Sequence, residues 1–336
     1  MSDFSTPIRI GQANATGSTT ALFLKLFSGE VLATFNLESK FQDLVTTRRI
    51  NGGISATFPN FGRVVASYHV PGTEIQGGNV RGNERVISLD GKLIAPVFFP
   101  DIDQATNHWD YRAPISAECG RELARINDYN TASMFILAAR ATGNITARSG
   151  NQAYSNDPSG LYDGLSSATA NTSTYSTTDT NLNTDSDKLI KACFGAKQAL
   201  DEKNIPDDGQ AFAAFRPAQY YLLTQNTKVL NRDWSGAGSF SQATVPTIAG
   251  LRIVKSNNIP NTNVTTPSNG PTTYNGDFTK TVGFAAHPQA VGRCLWMELS
   301  TEAERSVRHQ GTLVVASQAI GMGVLRAEAA VEFRIP

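Results

Sequence analysis

Residues 84–112 read ERVISLDGKLIAPVFFPDIDQATNHWDYR, and the fold class turns on them. The runs ERVISL and KLIAPVFF are rich in β-branched and aromatic residues, which pack well on a pleated, half-buried surface. Asp90-Gly91 between them is a dipeptide favoured in two-residue hairpins. Behind them, Asp101-Ile-Asp-Gln104 has the form of a capping box, an Asp accepting from a backbone N–H and a Gln returning the bond. Strand chemistry thus gives way to helix chemistry within one stretch, which predicts an α+β chain. Pro114 is expected to interrupt. A longer helix is then predicted from Ser116 to about Thr142, because Cys119, Leu123, Ile126, Asn130, Met134 and Leu137 recur at helical spacing. At ~1.5 Å per residue it spans about 40 Å, the dimensions of a spine.

Upstream, ISATF (54–58) and GRVVASYHV (62–70) continue the extended pattern, and PGTEIQGGNVRGN from Pro71 to Asn83 has the glycines and the aperiodicity of a loose tip. Ile54 to Phe99 therefore predicts a long two-stranded arm. Alone in water such a ribbon is marginal, since two strands bury too little apolar surface to offset their ordering entropy. It must find support outside itself. Further upstream, Leu24, Phe27, Val31 and Phe35 fall three and four apart, on one face of an amphipathic helix starting near Thr19 or Thr20. That helix either docks on its own core or serves as an arm on a neighbouring subunit.

Downstream, residues 143–187 and 255–280 are dominated by Asn, Ser, Thr, Gly and Asp and read as long surface loops. Between them lie a predicted helix from about Asp185 to Glu202, a strand QAFAAF, a helix from Pro217 to about Leu230 and a strand LRIVKS. Pro217 suits a first helical turn. This alternation reads as a compact α/β unit, and the segments after it (GFAAHPQAV, WMELS, GTLVVASQA, GMGVL, AVEFRIP) read mostly as strands.

The composition narrows the function. The chain has 336 residues, with 29 basic and 29 acidic side chains. A protein that grips nucleic acid by neutralising phosphates needs a Lys/Arg excess, because its affinity comes from counterion release. Near-neutrality instead favours association. Cys119, Cys193 and Cys294 are distant and odd in number, so neither a disulfide framework nor a C-x-x-C pair is expected, and synthesis in a reducing cytosol is. The polar leader MSDFSTPIRIGQANATGSTT lacks the order of a secretory signal, and no run is apolar and long enough to span a bilayer.

Catalytic signatures are wanting. There is no G-x-x-x-x-G-K-[ST], no complete dinucleotide fingerprint, no H-E-x-x-H and no G-x-S-x-G. His69, His108, His287 and His309 are scattered. Asp103, Asn107 and Asp110 share a helical face near His108 and could offer oxygens to a hard cation. Acidic residues at a helix start also cap free N–H groups and complement the dipole, and that structural account is the stronger. No catalytic, cofactor or metal residue is assigned.

Three blocks carry a family resemblance: ALFLKLFSGEVLATF (21–35), the 84–112 stretch and GVLRAEAAVEF (323–333). With them the chain resembles the major capsid proteins of T-seven-like short-tailed phages (the autographivirus group), which have the Hong Kong 97 type capsid fold. Relatives commonly have Pro after the Arg of the last block, where this chain has Ala327. The resemblance implies an N-terminal arm (1–50), an extended β-hairpin or E-loop (51–100), a peripheral domain built on the spine helix with a Ser/Thr/Asn-rich insertion (101–187), an axial α/β domain (188–280) and a return to the peripheral sheet (281–336). It implies a structural, non-enzymatic protein of the virion, assembled in the bacterial cytoplasm. Copies would form pentamers and hexamers of an icosahedral shell around double-stranded DNA, with a scaffolding protein during assembly, a portal at one vertex, no cofactor and no membrane.

Within that frame Val64 and Tyr68, with Val86 and Leu89, are expected to stiffen the ribbon, and Arg81, Glu84 and Arg85 to make intersubunit polar contacts. Leu24, Phe27, Val31 and Phe35 would pack the arm. Arg9, Lys25, Arg48 and Arg49 would lie near DNA without recognising it. A second reading, a glycan-binding fibre or adhesin module, draws on the Asn/Thr/Gly-rich loops and on Tyr154, Tyr162 and Tyr175, and the long helix argues against it. A third, an α/β enzyme with a site assembled from distant residues, is discounted by the missing motifs.

Overall fold

The computed structural model describes residues 21–61, 68–75, 82–102, 112–141, 174–176, 181–202, 205–226, 229, 247–265 and 271–336. In chain order these give α1 (Ala21–Glu38), β1 (Thr46–Arg49), β2 (Ser55–Phe61), β3 (Gly82–Ser88), β4 (Lys92–Pro100) and the long α2 (Arg112–Arg140). They continue with β5 (Thr174–Ser176), α3 (Ser186–Glu202), β6 (Phe212–Phe215), α4 (Pro217–Thr224), β7 (Thr247–Ile248), β8 (Leu251–Lys255), β9 (Asn263–Val264) and β10 (Gly276–Asp277). The last strands are β11 (Thr281–Ala286), β12 (Val291–Ser306), β13 (Gly311–Val324) and β14 (Ala330–Arg334). The elements fall into two compact units: unit 1 holds Met1–Ser39, Asp90–Asn127 and Leu295–Ile320, and unit 2 holds Lys40–Leu89, Asp128–Cys294 and Gly321–Pro336.

Unit 1 is a sheet with helices on one face. β4 pairs antiparallel with β13 from Lys92↔Ala319 to Pro100↔Gly311, and β12 lies on the far side of β13. As the edge strand β4 can carry Pro96 and Pro100, whose missing N–H groups would break an interior ladder. Phe27, Val31 and Phe35 of α1, Cys119, Leu123 and Ala124 of α2, and Phe99, Val314 and Ala316 of the sheet form one buried cluster. Phe27 meets Phe99 edge-on at 6.3 Å. The helices approach so closely at Gly120 that an added Cβ would lie 2.6 Å from the Val31 carbonyl oxygen. Ser116, fully buried, donates its hydroxyl hydrogen bond to Glu30 Oε2 at 2.6 Å.

Unit 2 is built on a six-stranded sheet of order β5-β14-β11-β6-β8-β7. β11 and β6 are buried at every residue, as expected of central strands covered on both faces. The second half of α2 brings Phe135 onto them, stacked on Phe284 at 5.4 Å and edge-on to Phe212 at 5.3 Å, with Phe41 5.9 Å from Phe284. At ~1.5–3 kcal/mol per fully buried ring, this cluster is a main source of the unit's stability. The α2 carboxylate of Asp128 accepts from the backbone N–H of Lys40 at 2.8 Å and of Phe41 at 3.2 Å, holding the chain where it enters the unit. At the end of α2, Arg140 forms a two-pronged pair with Glu332 of β14 at 2.7 and 2.6 Å. Glu332 is fully buried and also accepts from Thr281 Oγ1 at 2.6 Å. Arg140 further donates to the Asp277 carbonyl at 2.8 Å.

Three expectations need correction. Asp90-Gly91 does not turn a hairpin: β3 pairs with β2 and β4 with β13, and the Asp90 N–H goes to the Ile320 carbonyl at 3.2 Å. The dipeptide therefore hands the chain to a distant strand. Pro114 does not interrupt, because α2 already starts at Arg112 and places it in the first turn, where no intrahelical N–H is needed. The helix from Pro217 ends at Thr224, short of Leu230. β11 and β14 share a sheet with β6 and β8, so strands from the 281–336 segment join those of the 188–280 segment.

Two outcomes follow. Gly120→Ala should lower unfolding stability by about 1–3 kcal/mol, the cost of overpacking a tight contact, read by denaturant titration. Arg140→Ala, which strands a buried carboxylate, should cost about 3–5 kcal/mol, whereas the paired change Arg140→Met with Glu332→Leu should recover most of it.

Candidate assembly surface

β2 and β3 pair from Ser55↔Ser88 to Phe61↔Gly82 as a two-stranded sheet of their own. Alternation gives the ribbon two faces. On one, Ala56 and Ile87 form a buried cross-strand pair, followed by Phe58 opposite Arg85. Ile87 lies against Gly323, where an added Cβ would be 2.8 Å from Ile87 Cγ1. Arg48 of β1 sits 5.7 Å from the Phe58 ring centre and donates to the Thr57 carbonyl at 2.9 Å. On the other face Thr57, Pro59, Glu84 and Val86 are exposed. Toward the tip, the Thr73 N–H donates to the Val70 carbonyl at 3.2 Å across Pro71 and Gly72, the latter at φ +91°, which is a type II turn. Tyr68, Val70 and Ile75 beside it are exposed.

A second exposed surface lies wholly in unit 1, on the sheet face away from α1 and α2. Leu93, Ala95, Val97, Leu299 and Ala303 point to the helices, so strand alternation turns Ile94, Pro96, Phe98, Leu313 and Val315 outward. The same alternation on β12 sets Glu298, Glu302 and Glu304 in a row along that face, and Ser300 Oγ lies 3.3 Å from Ser317 Oγ. The result is an apolar stripe flanked by carboxylates. At its turn end is a groove of about 410 Å³ lined by Phe98, Glu304, Ser306, His309 and Leu313.

The residues singled out from sequence are scattered over these surfaces. Tyr68, Glu84 and Arg85 are exposed on the ribbon, while Val64 and Arg81 lie outside the described residues. Phe27, Val31 and Phe35 are buried within unit 1, so α1 docks on its own chain. Leu24 and Lys25 lie in α1. Arg48 and Arg49 are exposed on β1, and Arg9 lies outside the described residues, as do Asp103, Asn107, His108 and Asp110. Among the described residues no group of three His, Cys, Asp or Glu is placed to hold a metal. All three cysteines are buried as free thiols, and burial pushes the Cys193 thiol up to about 12. His287 Nε2 lies 3.0 Å from Asp208 Oδ1 and its Nδ1 accepts from the Gln289 N–H at 3.3 Å, which pins the Asp208 loop to the end of β11. The outward sheet face escaped the sequence reading. Its signal is the unbroken apolar run LIAPVFF, which has no polar alternate for a solvent face.

Comparison with known proteins places this surface in context. Residues 57–334 match the family model described as "Gp10A-like: Major capsid protein". The chain is 30% identical to the major capsid protein of Enterobacteria phage T3, over 97% of this chain and 95% of that one. It is 29% identical to the major capsid protein of Escherichia phage T7, over 94% of this chain and 92% of that one. Among solved structures it is similar to the capsid of the cyanophage P-SCSP1u, with a TM-score of 0.75 and 34% identity, covering 99% of both chains.

The two ribbon faces are separable by mutation. Ile87→Ala should destabilise the chain by about 2–5 kcal/mol, whereas Val86→Ala next to it, at a site 51% exposed, should stay within about 0.5 kcal/mol. Denaturant midpoints of the two variants decide it.

Proposed function

The chain belongs to the Gp10A-like family of major capsid proteins, and from that membership we propose that its copies close into pentamers and hexamers of an icosahedral shell around double-stranded DNA, each copy laying its β2–β3 ribbon on a neighbour. It has the Hong Kong 97 type phage capsid fold and a structural role in the virion. The ribbon carries the reading of how copies join. One face of the ribbon packs on its own chain through Ile87, while Val86 on the other face and Ile54, Tyr68, Val70 and Ile75 beyond the strand ends stay exposed, so the pair buries little apolar surface against its ordering entropy. Contact with a second copy supplies the missing burial. In this reading Arg81, Glu84 and Arg85 make polar contacts between copies and Val64 stiffens the arm, while Tyr68, fully exposed, faces a neighbour instead of stiffening its own strands.

The five-segment division of the family fold into arm (1–50), E-loop (51–100), peripheral (101–187 and 281–336) and axial (188–280) parts is proposed with it. So are a scaffolding partner, a portal at one vertex, assembly in the host cytoplasm and the absence of catalysis. Exposed Arg48 and Arg49, with Arg9 and Lys25, would face packaged DNA. A neutral chain suits this, because a strongly basic lining would hold phosphates and resist their sliding.

Electron microscopy of the chain expressed with a scaffolding partner should show closed shells, and persistent monomers or trimeric rods would refute the reading. Alanine at Arg81, Glu84 and Arg85 together should reduce shell yield or stability while leaving the unassembled chain within about 0.5 kcal/mol of its parent; unchanged yield and stability of the shells would remove these three from the interface.

A further inference from the structure

We propose that Asn51 is a site of spontaneous covalent modification, at which asparagine converts to aspartate and isoaspartate with water as the only co-reactant. The inference goes beyond the capsid reading and holds for a single chain, whatever it assembles into. Asn51 opens the run Asn51-Gly52-Gly53 between β1 and β2, at the base of the ribbon. All three residues are exposed. β1 ends at Arg49 and β2 starts at Ser55, so the run lies between the two ladders and is fixed by neither. Among the described residues, neither the Asn51 amide nor the Gly52 N–H has a hydrogen-bond partner.

Asparagine is among the chemically labile side chains, and its reaction needs the next backbone nitrogen to reach its own Cγ. Closing that five-membered ring takes rotation about ψ and χ1, which a ladder or a crowded site resists and an open loop permits. A Cβ built on Gly52 would meet nothing within 4 Å, so no neighbouring group screens the attacking nitrogen. Hydroxide takes the Gly52 amide proton; the nitrogen attacks Asn51 Cγ, the N–Cγ bond forms, the Cγ–Nδ2 bond breaks, and ammonia leaves with a proton from water. A succinimide remains. Water opens it at Cγ to give aspartate, or at the Asn51 carbonyl carbon to give isoaspartate, whose main chain runs through Cβ. Either product adds one negative charge to a chain whose 29 basic and 29 acidic side chains otherwise cancel. Isoaspartate also lengthens the link between β1 and the ribbon by one carbon.

The same dipeptide recurs at Asn275-Gly276, and there the fold blocks the reaction. Asn275 Nδ2 donates to the Thr265 carbonyl at 3.0 Å, and the Asn275 backbone N–H donates to the Thr272 carbonyl at 3.1 Å. Its ψ is held at 139°. Gly276 pairs with Val264 in the β9–β10 ladder, and a Cβ there would lie 3.0 Å from Phe278 Cζ. One chain thus carries a reactive and a protected copy of one dipeptide, while Asn269-Gly270 lies outside the described residues.

The test incubates the purified full-length chain at mildly alkaline pH in heavy-oxygen water, digests it at acid pH and locates the products by tandem mass spectrometry. Asn51 should take up heavy oxygen, as both aspartate and isoaspartate, roughly tenfold faster than Asn275, which reacts only when its ladder opens. In denaturant the gap should close, because both sites are then equally free. Gly52→Ala puts a methyl group into open space at a φ outside the left-handed region. It should keep the parent's circular-dichroism melting curve while slowing conversion at Asn51 roughly tenfold, since the new side chain hinders a backbone that glycine leaves free. Conversion at Asn51 no faster than at Asn275 in the folded chain overturns the assignment. So does a Gly52→Ala chain that converts as fast as its parent, or a gap that persists in denaturant, whose cause would then not be the fold. If Gly52→Ala shifts the melting curve, Asn51→Gln decides: it must remove the isoaspartate signal from the peptide that spans this loop, and a signal that persists overturns the assignment.

Discussion

One helix has to satisfy two cores. α2 runs 29 residues from Arg112 to Arg140, with the residues to Asn127 in unit 1 and those from Asp128 in unit 2. Each half must therefore carry an apolar stripe suited to a different partner. The first half pairs small and medium residues, Cys119, Gly120, Leu123 and Ala124, with an equally close helix, α1. The second half presents Phe135 to a sheet and ends in Arg140, whose charge is matched inside that sheet by Glu332. The change of partner falls at Asp128, a buried carboxylate that is held in place by the two backbone N–H groups it accepts. A buried pair such as Arg140–Glu332 adds little net stability over an apolar substitute, but it tolerates no displacement without a large penalty. It thus fixes where α2 ends on the sheet more than how strongly it binds there.

What the sequence made legible follows from how local each signal is. The spine helix, the α3 helix from Ser186, the strand Phe212–Phe215 and the Pro217 helix start are set by periodicity and caps within a few residues. The N-terminal stripe Phe27, Val31, Phe35 was equally plain, yet a stripe says that a helix has a covered face, not what covers it; the structure places its own unit's core there. Asp90-Gly91 misled for a related reason. The dipeptide reports a permissive backbone, whereas the choice between β3 and β13 as partner of β4 depends on contacts more than two hundred residues apart. The sheet that joins β11 and β14 to β6 and β8 is likewise non-local.

The assembly surface was half legible. The ribbon announced itself by its alternating strands and its glycine-rich tip. The outward face of β4 did not, because the sequence assigns LIAPVFF to the two-stranded arm and so gives no hint of the sheet whose edge it forms. The run is apolar on both faces, and among the described residues of unit 1 only one of them is covered. A single chain cannot distinguish a face covered by its own helices from one covered by another copy, since the physical demand on the residues is the same.

The charge balance of 29 against 29 takes on a spatial meaning here. Three glutamates line one face of unit 1, and Arg48, Arg49 and Arg85 stand on and beside the ribbon of unit 2. The sum is zero over the whole chain, while a single face such as that of β12 can carry one sign. For a chain whose family builds shells, this has a consequence for assembly. Exposed ion pairs contribute only ~0–1 kcal/mol each, so a contact between copies built from them would be weak, and a misplaced copy could leave. Closure changes the arithmetic: once a copy is held on several sides, each further contact is effectively intramolecular, and weak patches multiply into a durable wall.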